Sequence, residues 1–257
     1  MANRLSSGIS NFLAGYLSRP QPGYRRHDTV PIEIIASVLQ PGDVVLVEGN
    51  SRISVAIKYL TQSSWSHSCL YVGAPGQATS EPSLLEADLQ DGVRMVGLDH
   101  YRDCNLRICR PVNLGAEDRD ALLEYGKSRL GHKYDIKNII DLVRYLVQKP
   151  AVPNRYRRSL IAFGSGEPTK VICSTLIAGA FQAIDYPILP VVGEDDGENG
   201  EVPSYYKQHF THFTPRDFDL SPYFEVIKPT LESGFDYKQV NWLGKSVSAG
   251  EQTQSRK

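Results

Sequence analysis

Short, wholly apolar runs alternate with helix-spaced segments along most of this chain. Val44-Val45-Leu46-Val47 is a short, continuous apolar run and predicts a strand. Cys69 to Val72, Leu84 to Ala87, Val93 to Val96 and Leu106 to Cys109 predict further strands, separated by Pro, Gly and Asp turns. Helical spacing predicts helices over Pro31 to Leu39, Ile53 to Thr61, Glu117 to Leu130, Ile136 to Val147 and Cys173 to Ala183. Residues 3–17 place Leu5, Ile9, Phe12, Leu13, Tyr16 and Leu17 on one helical face, before Pro20, Pro22 and Gly23 stop it. That helix reads either as docked on the domain or as an anchor for a membrane surface or a partner protein.

Between the helices the pattern breaks down in three places. Lys149 to Lys170 is irregular, with the basic cluster Arg155-Tyr156-Arg157-Arg158, and reads as a lid or surface loop. Gly193 to Pro203 is acidic, and the residues from Gly244 onward are polar and tail-like. The expected organisation is a helix and linker over 1–30, an α+β domain over 31–230 with 149–170 as an insertion, and a tail over 231–257. A small antiparallel sheet packed on helices fits this order of elements.

Composition narrows the function classes. A net charge of −1 lacks the basic footprint of a nucleic-acid binder. Four cysteines in 257 residues are too few for a disulfide scaffold. Cys69, two residues after His67 on one strand face, offers a metal pair with Cys104 and Cys109 as further ligands. The set lacks the close paired spacing of a structural zinc site, so no metal and no cofactor is expected. No apolar run is long enough to span a bilayer, and Ser6, Ser7, Ser10 and Asn11 interrupt any signal-peptide core. A cytoplasmic protein is expected, with signal-independent export left open.

Two segments carry candidate chemistry. Cys173 opens the apolar helix Cys-Ser-Thr-Leu-Ile-Ala-Gly-Ala-Phe, and a thiol at a helix N-terminus feels the positive end of the macrodipole, which favours thiolate. Alone, such a cysteine reads as inert core. His67, in Trp65-Ser66-His67, stands at the mouth of an apolar strand and would serve as its general base. A third group should accept from the far imidazole nitrogen. Glu86 fits, because a carboxylate inside Leu84-Leu85-Glu86-Ala87 needs a partner to offset its burial. Asp88 on the same strand face and Glu81 in a turn are the alternatives.

Several short motifs now line up in one order. They are Gly42-Asp43-Val44-Val45-Leu46, Ser66-His67 before Leu70-Tyr71-Val72-Gly73, and Leu85-Glu86-Ala87 with Gly92-Val93. Leu130-Gly131-His132-Lys133-Tyr134-Asp135 and Ile172-Cys173-Ser174 follow. Over about residues 40–225, including Thr214-Pro215-Arg216-Asp217-Phe218 and Ser221-Pro222, the chain resembles the YiiX/YaeF-like permuted papain-fold cysteine hydrolases. These are circularly permuted bacterial relatives of the NlpC-type peptidases and of lecithin:retinol acyltransferase. The resemblance implies Cys173 as nucleophile, His67 as base and Glu86 as its orienting residue. It also implies Tyr134 lining the site, with Ser66 and Ser174, which flank base and nucleophile, at the substrate. The chain departs from it at Ser68-Cys69, where a glycine or another small residue commonly follows the histidine.

The expected activity is hydrolysis of an amide or ester acyl bond through an acyl-enzyme. The apolar residues around the motifs tilt the expectation toward a lipid acyl substrate over a peptide. An acyltransferase on the same site, or a non-catalytic module binding lipid or peptide, are the competing readings.

Overall fold

The computed structural model describes residues 30–73, 83–88, 91–132, 172–192 and 205–236, with isolated positions before residue 30 and at residue 238. Apart from Gly15, the expected helices over 3–17 and 136–147, the 149–170 insertion, the acidic loop and the polar tail from Gly244 lie outside the described residues. Among the described residues no helix is long and apolar enough to cross a membrane.

Helix α1 (Ile32–Val38) leads into strand β1 (Val44–Glu48), then helix α2 (Arg52–Thr61) and strand β2 (His67–Gly73). Strands β3 (Ser83–Asp88) and β4 (Gly92–Gly97), a 3-10 turn at Leu98–Tyr101 and strand β5 (Asn105–Pro111) follow. Helices α3 (Ala116–Ser128) and α4 (Ile172–Ala183) come next, then the two-residue strands β6 (Val191–Val192) and β7 (Tyr205–Tyr206). Helix α5 (Pro215–Leu220), strand β8 (Phe224–Ile227) and helix α6 (Pro229–Glu232) complete the order. Six strands form one sheet in the order β4-β3-β2-β1-β5-β8, every pair antiparallel.

The apolar run in β1 is explained by cover on both faces. Val44 and Leu46 join Leu70, Leu85, Leu122, Leu176, Ile177 and Phe181 in a core under α3 and α4. Val45 and Val47 join Ile32, Ile35, Cys69, Tyr71, Leu84 and Ile108 in a second core under α1. Period-two alternation along each strand sorts the side chains between the two layers. Gly126 lets α3 lie close to the sheet, since a Cβ there would sit 2.6 Å from Leu85 Cδ2.

The Gly42-Asp43 pair is structural. Gly42 turns at φ +100°, donates its N–H to Tyr71 O at 2.9 Å, and delivers the buried Asp43 to the head of β1. Asp43 then accepts from Arg110 Nε and Nη2, both at 2.8 Å, which ties β1 to β5 by a fork-to-fork pair. Thr214 and Asp217 form a capping box at the start of α5, so this sequence motif encodes a helix start.

Two features were not legible in the sequence pattern. The strand at β8 is four residues long with Glu225 exposed in its middle, too short and too mixed to stand out. The histidine lies inside its strand, because β2 begins at His67, where a start at Cys69 was expected. The chain before α1 is also held to the domain at several points. Pro20 bridges Ser51, Tyr24 Oη donates to Glu48 O at 3.0 Å, and His27 N–H donates to Asn105 Oδ1 at 2.9 Å.

Candidate active site

The site is built on one end of β2, on β3 beside it, and on the first turn of α4. Alternation along β2 sends Ser68 toward α4 and puts His67, Cys69 and Tyr71 on the other side. His67 heads the strand with a fifth of its side chain exposed (21%). Its Nε2 donates to Glu86 Oε2 at 2.8 Å.

Glu86 is almost wholly buried at 1% exposure, and three side chains other than the imidazole converge on it. Arg94 Nε donates to Oε1 at 2.8 Å, from the position directly opposite in β4. Tyr101, in the 3-10 turn, donates its hydroxyl to Oε2. The Cys69 thiol lies 3.8 Å from the same oxygen. Burial alone would raise the Glu86 pKa, but the hydrogen bond and charge of His67, with Tyr101 and Arg94, hold it down at about 2. Burial and the neighbouring anionic groups push the Tyr101 hydroxyl well above its ordinary range, so it remains a donor.

Cys173 is the second residue of α4 and is buried in the first turn. Burial works against its thiolate, but the charge and hydrogen bond of His67, with hydrogen bonds from Ser68, win and lower its pKa. The imidazole responds in kind. Burial would lower His67, yet the sulfurs of Cys69 and Cys173 raise it well above its usual value. Cys69 touches the same imidazole, but burial dominates there and Glu86 adds to it, so its thiol is pushed up. Of the two cysteines that meet His67, Cys173 alone is shifted toward the anion.

The remaining sequence-predicted residues fall in different places. Ser174 is fully buried, its Oγ 3.3 Å from Ser68 Oγ and 3.9 Å from Cys173 Sγ. Ser66 accepts from Gly49 N–H at 2.9 Å and donates to Val47 O at 3.4 Å, bracing the chain that leads into His67. Tyr134 and Glu81 lie outside the described residues. Asp88 faces Arg94 Nη2 at 3.7 Å, and the carboxylate that receives His67 is Glu86. Arg94, Tyr101 and Ser68 were missed by sequence reasoning. Arg94 had a weak signal, a cation one strand along in register with Glu86; Tyr101 had none, since an irregular turn delivers it.

The expectation of no metal rested on ligand spacing along the chain. In the fold, donors from neighbouring strands converge instead: one atom each of His67, Cys69 and Glu86 lie within 4.8 Å of one another.

This arrangement carries a pH consequence. Because Glu86 is held near 2 when folded, against an ordinary 4.5, it stabilises the fold above about pH 4.5. That contribution, on the order of 3 kcal/mol, disappears as the pH falls through 2. Acid titration of thermal stability should show it, and Glu86→Gln should flatten the loss between pH 4.5 and 2.

The described residues thus form an α+β fold with a six-stranded antiparallel sheet, a strand histidine and a helix-borne cysteine. Residues 38–145 match the family described as permuted papain-like amidase enzyme, YaeF/YiiX, C92 family. The match supports a cysteine hydrolase in the broad sense. It spans less than half of the chain, holds His67, Glu86, Arg94 and Tyr101, and ends before Cys173. Among solved structures, that of the metalloprotein YiiX from Escherichia coli O157:H7 is 16% identical, with a TM-score of 0.45, covering 74% of this chain and 96% of that one. No curated protein matches the chain.

Proposed function

We propose that this protein hydrolyses an acyl bond, an amide in the first instance, through a thioester on Cys173. The observation that carries the reading is the interaction of the Cys173 thiol with an imidazole whose Nε2 is held by a buried carboxylate. Nucleophile, base and orienting group then stand in one chain of contacts.

The steps follow from those contacts. The Cys173 thiolate attacks the carbonyl carbon, and the C=O π electrons move onto oxygen. The N–H of Cys173 is among the first four of α4, which have no partner within the helix, and is suited to hold that oxyanion. As the tetrahedral species collapses, the scissile bond breaks and the His67 imidazolium gives its proton to the departing amine. Water then attacks the thioester, His67 takes the water proton, and the acid leaves with the thiolate restored.

Throughout, Glu86 keeps the imidazole in one orientation and stabilises its charged form, while Arg94 and Tyr101 keep Glu86 in place.

The substrate reading shifts with the fold. A lipid acyl chain was favoured by the apolar residues around the motifs, but Leu70, Leu85 and Ile177 are core residues with at most 1% exposure. They report packing and do not bear on a substrate groove. The family's description as an amidase supports an amide ahead of an ester.

The test is covalent capture. Wild-type protein quenched with acid during turnover of peptide-amide or lipid extracts should carry an acyl mass on the Cys173 peptide. Cys173→Ala should carry none. An acyl mass on neither protein, with turnover continuing, would contradict the thioester.

A further inference from the structure

Cys69 has no part in the proposed chemistry, yet it is fully buried and points at the catalytic pair. Its sulfur lies 3.8 Å from Glu86 Oε2, and that oxygen is 2.8 Å from His67 Nε2. The three donor atoms fall within 4.8 Å of one another. A tetrahedral zinc ion, with bonds of about 2.0 Å to nitrogen or oxygen and about 2.3 Å to sulfur, places its ligand atoms about 3.3–3.5 Å apart. The separations here straddle that spacing. An imidazole, a thiolate and a carboxylate are also a donor set that zinc accepts.

The surroundings suit a metal ligand as well. Arg94 holds Oε1 of Glu86, so Oε2 is the oxygen turned toward His67 and Cys69. Metal-bound carboxylates are oriented by such outer partners. The strand pairing fixes the geometry: His67 and Cys69 are two apart on one face of β2, and Glu86 lies on the adjacent strand β3.

We infer that His67, Cys69 and Glu86 form a binding site for a divalent zinc-type cation that competes with the triad. The ion would replace the proton now shared between His67 Nε2 and Glu86 Oε2, which passes to solvent. Cys69 would bind as thiolate, its proton passing to solvent, and water would fill the fourth position. With the metal in place, the imidazole is drawn into coordination and its proton exchange with Cys173 is blocked. Zinc thus acts as a reversible inhibitor. The inhibitory part rests on the proposed thiol chemistry; the binding part does not.

The experiment keeps these separate. Zinc binding is measured on the full chain by competition with a chelating dye, and cobalt(II) is added in parallel to look for a thiolate-to-metal charge-transfer band in the near ultraviolet. Wild type and Cys173→Ala should both bind zinc and show the band. Cys69→Ala and Cys69→Ser should lose the band and bind zinc at least ~10-fold more weakly, since loss of an outer partner alone costs that much.

In activity assays, the Cys69 variants should resist zinc, each measured against its own zinc-free rate. Loss of the band in Cys173→Ala, wild-type affinity in the Cys69 variants, or no zinc bound by wild type would each overturn the site. If the Cys69 variants do not fold, the band in Cys173→Ala decides alone. Zinc binding through Cys69 without inhibition would keep the binding site and overturn the competition.

Discussion

Replacing Cys173 by alanine should lower kcat/KM by at least ~10³-fold while the protein still folds and binds substrate. The size of the effect follows from what the side chain does. Every covalent step of the proposed route passes through its sulfur, and the other thiol touching His67 is held protonated by burial. The alternative reading, a module that only binds lipid or peptide, makes the opposite forecast: full function in Cys173→Ala. An acyltransferase would behave like the hydrolase in this variant, but with wild type it would show product formation that depends on an added acyl acceptor. Steady-state rates with and without that acceptor therefore separate all three.

The second large effect is expected at Glu86. Glu86→Ala leaves the His67 imidazolium, the Arg94 guanidinium and the Tyr101 hydroxyl without their common acceptor. Breaking a buried ion pair from one side costs about 3–5 kcal/mol, so this variant should unfold at markedly lower temperature. Glu86→Gln is the cleaner probe. It keeps the shape and one acceptor oxygen but removes the charge that favours imidazolium. Activity should fall by ~10²–10⁴-fold, the range expected when an orienting carboxylate is neutralised. The pH profile should change shape as well, because His67 would lose a partner of its charged form. A purely structural role would lower thermal stability and leave the pH profile unmoved.

Much of the sheet could be read from the sequence, and for a definite reason. Strands such as Val44-Val45-Leu46-Val47 are apolar at every position because helices cover both faces, so no solvent-facing residue blurs the pattern. Strand β8 escaped because its exposed Glu225 sits among four residues, and the 3-10 turn at Leu98–Tyr101 has no periodicity to detect.

The site was legible in part. His67 and Cys173 stood out through local context, a histidine heading an apolar strand and a cysteine opening an apolar helix. The choice among Glu86, Asp88 and Glu81 needed strand pairing, which places Glu86 against His67 and Arg94. The convergence of Cys69 on Glu86 needed it too, since ligand spacing along a single segment says nothing about donors on neighbouring strands. The reversed order of histidine and cysteine relative to papain was visible from the start; the contact between them exists only in three dimensions.

The most direct test of the central claim needs no substrate. The pH dependence of Cys173 alkylation, followed peptide by peptide, reports whether that thiol is a thiolate paired with His67. Cys69, Cys104 and Cys109 serve as internal references, since burial raises all three. In wild type, the Cys173 rate should rise and level off at a lower pH than an ordinary thiol's, as its lowered pKa requires. In His67→Ala the rate should rise only toward about pH 8.5, where an ordinary thiol ionises. The same late rise in both proteins would contradict the account.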